Sequence, residues 1–366
     1  MSERDSVYAS AGVDYETLDA AKRLALEAAA RTTEFALTHG AALDDRSRGE
    51  PAVVLEVGAV RLGFVLECLG TKSMIAGRFE RESGIDRFDA IGYDTVAAVV
   101  NDLVCVGALP FVVNAYFATG AASFYQGTRH ASLIAGWERA CRDAGAAWGG
   151  GESPTLSGLV APDEIDLAGS AIGRIPDGVA PLLGADLAPG DEIVLVASSG
   201  LHANGASLVR SVADRLDGGL LATLASGRTL GDAVLEPSAM YVQLMGSVLA
   251  AVRVHYASHI TGHGLRKLMR ADRELTYRVE ALPPVPEVLG FLADAAGLGA
   301  REAFATFNMG SGFAVFVGEG DGARVVDIAA SLGHLALVAG HVEAGPRRVV
   351  LEEHQLAYDS TELELR

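Results

Sequence analysis

Hydrophobic and polar positions follow two rhythms along this chain. Val53–Val57 and Val60–Leu66 are short runs rich in β-branched residues, interrupted at Gly58, which predicts two strands joined by a tight turn. Val112–Phe117, Ile165–Ile175, Ile193 onward, Phe313–Val317 and Leu335–Val338 predict further strands by the same content. The other rhythm repeats every three to four residues. Leu18, Ala21, Leu24, Ala28 and Phe35 predict an amphipathic helix over Tyr15–Leu37. Leu133, Ile134, Trp137 and Cys141 put one apolar face on a helix from Thr128 to Ala144. Asp94–Val106 is apolar nearly all round, the pattern of a buried helix, and ends at Gly107. Helices are also expected from about Ala206, over Ser238–Val252 and over Ala323–Leu332. The polar stretch His39–Pro51 reads as a loop, and Gly70–Lys72 as a turn.

This mixture of strands and helices predicts an α/β protein. Pro176-Asp177-Gly178 and Pro189-Gly190-Asp191 bracket the expected junction between two domains, residues 1–176 and 177–346. The charged segment 347–366 is expected to pack loosely or to serve as an interface arm. With 366 residues, each half is long enough to bury its own core. A net charge of −18 disfavours nucleic acid and anionic membrane surfaces as partners, because both would be repelled. Any phosphorylated ligand must then be held locally. The most apolar stretch, 97–117, is broken by Asn101, Asp102, Pro110 and Asn114, so no transmembrane span is expected. Met-Ser-Glu-Arg-Asp at the start lacks the pattern of a signal peptide, and the three widely spaced cysteines, Cys68, Cys105 and Cys141, form no CxxC pair. Both features predict a cytoplasmic protein with reduced thiols in apolar settings.

Ligand chemistry enters at Ala197-Ser198-Ser199-Gly200-Leu201-His202-Ala203-Asn204-Gly205. A strand that turns through small residues into a helix brings backbone close to a ligand and leaves N–H groups facing an anion. His202 in that turn is a candidate to hydrogen-bond a phosphate or to carry a proton near neutral pH. Asp94 and Asn101 lie two helical turns apart and so share a helix face.

Together with Tyr93-Asp94-Thr95 to Asn101-Asp102, Gly150-Gly151-Glu152-Ser153, His259-Ile260-Thr261-Gly262-His263-Gly264 and Thr306-Phe307-Asn308-Met309-Gly310, that turn resembles the phosphoribosylformylglycinamidine cyclo-ligase family, also called aminoimidazole ribonucleotide synthetases. The likeness runs from about Val53 to Glu343. It implies a two-domain synthetase-like fold in which N-terminal strands of two subunits form a barrel at a homodimer interface, with the site in a cleft involving that interface. It also implies an ATP- and Mg²⁺-dependent enzyme of purine biosynthesis whose partner is a small ribonucleotide, formylglycinamidine ribonucleotide. The resemblance places Glu152, His202 and Asp102 in catalysis. Gly70, Thr71, Lys72, Asn101, Ser199, Gly200 and Asn204 would meet ATP phosphates, Asp94, Glu67 and Asn101 would hold Mg²⁺, and Thr261, His263 and Asn308 would shape the substrate pocket.

The chain departs from the family pattern at several of these places. Glu67-Cys68-Leu69 stands where the family has Asp-Gly-Val, Thr155 stands for a second glutamate, and His263 for a glycine. The glycine-rich lid expected between Arg31 and Asp45 is absent. These departures leave open a paralogue that uses ATP on another small substrate, or a non-catalytic relative. Neither terminus carries the reactive cysteine of selenophosphate synthetase or the hydrogenase-maturation dehydratase, and Thr-Phe-Asn-Met-Gly counts against thiamine-monophosphate kinase.

Overall fold

The computed structural model describes residues 24–363. Two sheets organise them. The N-terminal sheet contains β1 (Ala41–Asp44), β2 (Val53–Val57), β3 (Val60–Cys68), β4 (Leu109–Thr119), β5 (Ala147–Glu152) and β6 (Ile165–Arg174). Its spatial order is β1-β2-β3-β6-β4-β5, and every pair is antiparallel except β4 with β5. The helices of this half are α1 (Lys72–Ser83), α2 (Phe88–Val104) and α3 (Thr128–Ala144).

The C-terminal half runs β7 (Glu192–Ala197), α4 (Ala206–Ala213), α5 (Leu230–Val234), α6 (Val242–Ala251), β8 (Val254–His259), β9 (Leu275–Val279), α7 (Glu287–Ala296) and α8 (Ala300–Thr306). It continues through β10 (Ser311–Val317), α9 (Gly322–Ser331), β11 (Ala336–Ala344), β12 (Arg348–Leu351) and β13 (Leu356–Asp359). The second sheet has the order β13-β12-β9-β11-β7-β10-β8. β10, buried along its whole length, lies between β7 and the edge strand β8.

The α2 helix is apolar on nearly every side because it has protein on nearly every side. It packs on β3, β4 and β6 and also meets α6 and β8 of the other half. Its closest neighbour is α3, and glycine makes that approach possible. A Cβ on Gly92 would lie 2.2 Å from the Leu133 carbonyl oxygen, and one on Gly136 would lie 1.8 Å from that of Asp89. Any side chain at either position would drive the helices apart. The α1 helix forms a second bridge, packing on α4 and α5. The sequence motifs at the start of α1 and along α2 are therefore set against the C-terminal half.

Three sequence expectations need correction. Residues 39–51 are not simply a loop, since Ala41–Asp44 pairs antiparallel with β2 and Asp45–Ser47 forms a 3₁₀ turn. Four residues are too few to show an alternation, which is why the strand was invisible in the sequence. The segment after Pro346 does not pack loosely. β12 joins β9 in parallel and β13 joins β12, burying Val349, Leu351 and Tyr358. The helix expected over 15–37 lies partly outside the described residues; within them, 24–30 is helical and Thr33–His39 is a 3₁₀ turn ended by Gly40 at φ 73°.

The N-terminal strands form an open sheet within one chain, with β1 and β5 at its edges, so the implied barrel is not closed by a single subunit. Of the cysteines, Cys105 and Cys141 are buried as expected, whereas Cys68 at the end of β3 is exposed. Among the described residues, no helix is long and apolar enough to cross a membrane.

Candidate active site

A cavity of about 500 Å³ opens between the two halves. The end of β3 supplies Glu67 and Cys68, α2 supplies Ala98 and Asp102, and the turn before α4 supplies Asn204. The segment from the end of β8 onward contributes His259, Thr261, His263, Lys267 and Arg270. Glu50 lies at its edge.

The chemistry concentrates on a carboxylate pair. Glu67 and Asp102 share a hydrogen bond, and Asp102 Oδ1 lies 2.7 Å from His259 Nδ1. Burial, then the Asp102 charge, pushes the Glu67 carboxyl up to about 7, against the pull of Lys267 and Arg270. Asp102 moves the other way: burial raises it, but the hydrogen bond and charge of His259, with Lys267 and Arg270 behind them, bring it below the usual carboxylate range. Two carboxyls side by side cannot both ionise cheaply, so one holds a proton near neutral pH.

A stability prediction follows from this displacement. The fold favours protonated Glu67, so this contribution is complete below about pH 4.5 and is lost as pH rises through about 7. Glu67→Gln is expected to raise stability at pH 8 by on the order of 2 kcal/mol and to change it little at pH 5. Urea unfolding at the two pH values checks this; equal effects at both would contradict it.

The other residues marked by the sequence fall into two groups. Asn204, Thr261 and His263 line the cavity. His263 holds a left-handed backbone, φ 77°, where glycine is usual and where side-chain bulk now faces the pocket. Asp94, Asn101 and Lys72, however, are turned to another task. Lys72 and Asp94 are fully buried, with Nζ 2.5 Å from Asp94 Oδ2 and 2.7 Å from the His202 carbonyl oxygen. Ser238 N–H donates to the other Asp94 oxygen at 2.6 Å. One turn-pair along the same face of α2, Asn101 Nδ2 donates to Ala239 O and Asn101 Oδ1 accepts from Tyr241 N–H, both at 2.9 Å. The shared helix face was legible in the sequence, but it grips the backbone of 238–241 in the opposite half.

That placement corrects the Mg²⁺ set. Octahedral Mg²⁺ needs several convergent oxygens, yet Asp94 and Asn101 have spent theirs and only Glu67 reaches the cavity. Among the described residues, no cluster of three or more His, Cys, Asp or Glu side chains is arranged to hold a metal ion. The residues present do not fit a protein-held Mg²⁺.

His202 is corrected as well. Its Nε2 accepts from Ser199 N–H at 3.1 Å and Ala239 N–H at 3.4 Å. Burial, then the positive charges of His259 and Lys72, holds its pKa well below the ordinary histidine value. It is therefore a neutral brace for its turn and does not carry a proton near neutral pH. Asn308 braces the same turn, donating to Gly200 O at 2.8 Å and accepting from Ser198 Oγ at 2.8 Å. Ser199 Oγ donates to Pro237 O. Gly70 and Thr71 stand at the start of α1, with Gly70 at φ 69° and Thr71 making no side-chain cap bond. Glu152 is exposed at the end of edge strand β5 and is not brought to the cavity within one chain.

Sequence reasoning passed over His259, Lys267, Arg270 and Glu50. His259 stood inside a quoted motif, and its partnership with Asp102 spans 157 residues that no local pattern connects. Lys267 follows His263 by four residues, a helical spacing that could have flagged it.

Comparison with known proteins places both halves of the chain in known domain families. The family description "AIR synthase related protein, N-terminal domain" matches residues 49–175, and its C-terminal counterpart matches 188–352. A phosphoribosylformylglycinamidine cyclo-ligase of Anaeromyxobacter sp. (strain Fw109-5) is 37% identical over 327 residues, covering 85% of this chain and 86% of that protein. The enzyme of that name from Pyrococcus furiosus is 34% identical over 322 residues, covering 88% and 90%. Among solved structures, a hydrogenase maturation protein HypE in complex with ATP aligns with a TM-score of 0.58 at 19% identity, covering 80% of this chain and 81% of that one. A thiamine-monophosphate kinase from Stenotrophomonas maltophilia K279a aligns at 0.57 and 22%, covering 83% and 90%. These distant likenesses show the fold, while the closer sequences show the family: this chain belongs to the phosphoribosylformylglycinamidine cyclo-ligases, built from the two AIR synthase related domains.

Proposed function

We propose that this protein uses ATP to close formylglycinamidine ribonucleotide into aminoimidazole ribonucleotide. The amide oxygen of the substrate attacks the γ-phosphorus and ADP leaves. The neighbouring amine nitrogen then attacks the activated carbon, phosphate departs with the former amide oxygen, and one proton is released. The observation that carries this reading is the Glu67–Asp102–His259 chain in the interdomain cavity. Asp102 fixes the orientation of the His259 ring by its 2.7 Å contact, and Glu67, poised near 7, takes up the proton given off by the attacking nitrogen. Relatives of that name supply the substrate assignment. Use of ATP is supported by the fold it shares with a HypE structure in complex with ATP. Since the protein's own side chains do not converge on a metal, Mg²⁺ would enter with the nucleotide phosphates.

The wider arrangement is a cytoplasmic homodimer whose N-terminal sheets meet to complete the barrel. Phe64, Leu66, Phe111 and Trp148 are exposed on that single sheet, an apolar surface that a second copy would cover. Such pairing would also give Glu152, stranded on edge strand β5, a route to a site.

Incubation with formylglycinamidine ribonucleotide and Mg-ATP is expected to release ADP and phosphate in equal amounts with the imidazole product. Release no faster than without the substrate would overturn the assignment. His263 in the pocket favours a second reading, the same ATP chemistry on a differently shaped substrate; ATP-dependent turnover of another amide only would select it.

A further inference from the structure

Among the described residues, one charge in the cavity has no counter-ion within 4.0 Å. Lys267 is 7% exposed and lines the pocket. Its Nζ donates to Thr261 Oγ1, and among the described residues it forms no ion pair within 4.0 Å. The neighbouring acids are engaged elsewhere. Asp102 is bonded to His259 and to Glu67, and Glu50 takes the hydroxyl of Tyr256 at 2.8 Å and lies 3.7 Å from Arg270. Arg270 also donates twice to Gly49 O. A nearly buried ammonium hydrogen-bonded to a single hydroxyl is costly, and burial accordingly draws its pKa down, with Arg270 adding to the effect and the more distant charges of Asp102 and Glu67 opposing it.

The surroundings point to what would relieve that cost. Because Thr261 Oγ1 accepts from the lysine, its own O–H is left to donate into the cavity. The Asn204 side chain lines the same wall, and its amide makes no hydrogen bond among the described residues. His263 and Gly262 complete the rim. We propose that Lys267, Thr261 and Asn204 form a subsite for an oxyanion of the substrate, a phosphate monoester or a carboxylate, separate from the nucleotide's phosphates. The inference deepens the ribonucleotide reading above and rests on it for the identity of the anion, while the existence of the subsite is independent of turnover.

The test uses the full chain and simple anions before any substrate. Thermal midpoints are measured with inorganic phosphate, with acetate, and with chloride at matched ionic strength. Phosphate is expected to raise the midpoint of the wild type and to leave that of Lys267→Met unchanged. A rise with acetate but not with phosphate would assign a carboxylate to the subsite and exclude the phosphate ester. Methionine preserves much of the lysine's volume and removes its charge. Thr261→Val, which deletes only the hydroxyl, carries the test if the first variant does not fold. With formylglycinamidine ribonucleotide, Lys267→Met should raise KM by about tenfold to a hundredfold with unchanged nucleotide affinity, the worth of a hydrogen bond to a charged group. Phosphate protection without turnover would sink the cyclo-ligase reading and leave the subsite standing. Equal protection of wild type and both variants, or protection of none, would overturn the subsite.

Discussion

Lys72→Met should destabilise the protein by about 3–5 kcal/mol, the usual consequence of leaving one partner of a buried ion pair behind. The remaining partner would be Asp94, fully buried, with the Ser238 N–H as its only other donor among the described residues. Lys72 also ties α1 to the His202 carbonyl of the C-terminal half, so the loss falls on the contact between halves as well as on either core. The double variant Lys72→Met/Asp94→Leu should recover most of that loss, because a buried pair replaced by apolar residues of similar size costs little. Urea unfolding of the two variants measures both effects. A stable Lys72→Met protein that fails only to bind nucleotide would reverse the assignment and return Lys72 to the phosphates.

Asp102→Asn is expected to fold and to lose about 10²–10⁴ in kcat, the range associated with a positioned acid–base group. The amide keeps the size of the side chain but presents no carboxylate charge to His259 Nδ1 and cannot share a proton with Glu67. KM should change far less than kcat, and the pH–rate limb that reports the Glu67–Asp102 pair should disappear. A merely structural Asp102 would lower activity without altering the shape of the profile. Steady-state kinetics from pH 5.5 to 8.5 distinguish the two outcomes.

The sequence revealed elements that announce themselves locally. Thr128–Ala144 was expected and found with the same bounds, because a strong apolar face and Gly145 at its C-terminus define it. The β2–β3 hairpin was equally clear. The strands β1, β12 and β13 were missed because four residues are too few to show an alternation, and β12 joins the sheet through β9, far upstream in the chain.

The site shows the same division. Turn residues such as Asn204 and Thr261 stand in local motifs of small residues that sequence can flag, and both line the cavity. Asp94 and Asn101 were rightly placed on one face of a helix, but no feature of the sequence said that face would meet the backbone of Ser238–Tyr241 instead of a ligand. His202 was read as a proton carrier from its unperturbed chemistry. Its burial, which neutralises it, is a property of tertiary packing. The acid pair itself joins β3 to α2, and its histidine comes from β8.

The central claim, that this protein binds a nucleotide and formylglycinamidine ribonucleotide together, is tested most directly by isothermal titration calorimetry with Mg-AMPPNP, with and without that ribonucleotide. Nucleotide binding that strengthens when the ribonucleotide is present is the predicted result. Nucleotide binding indifferent to it, or none at all, would contradict the account.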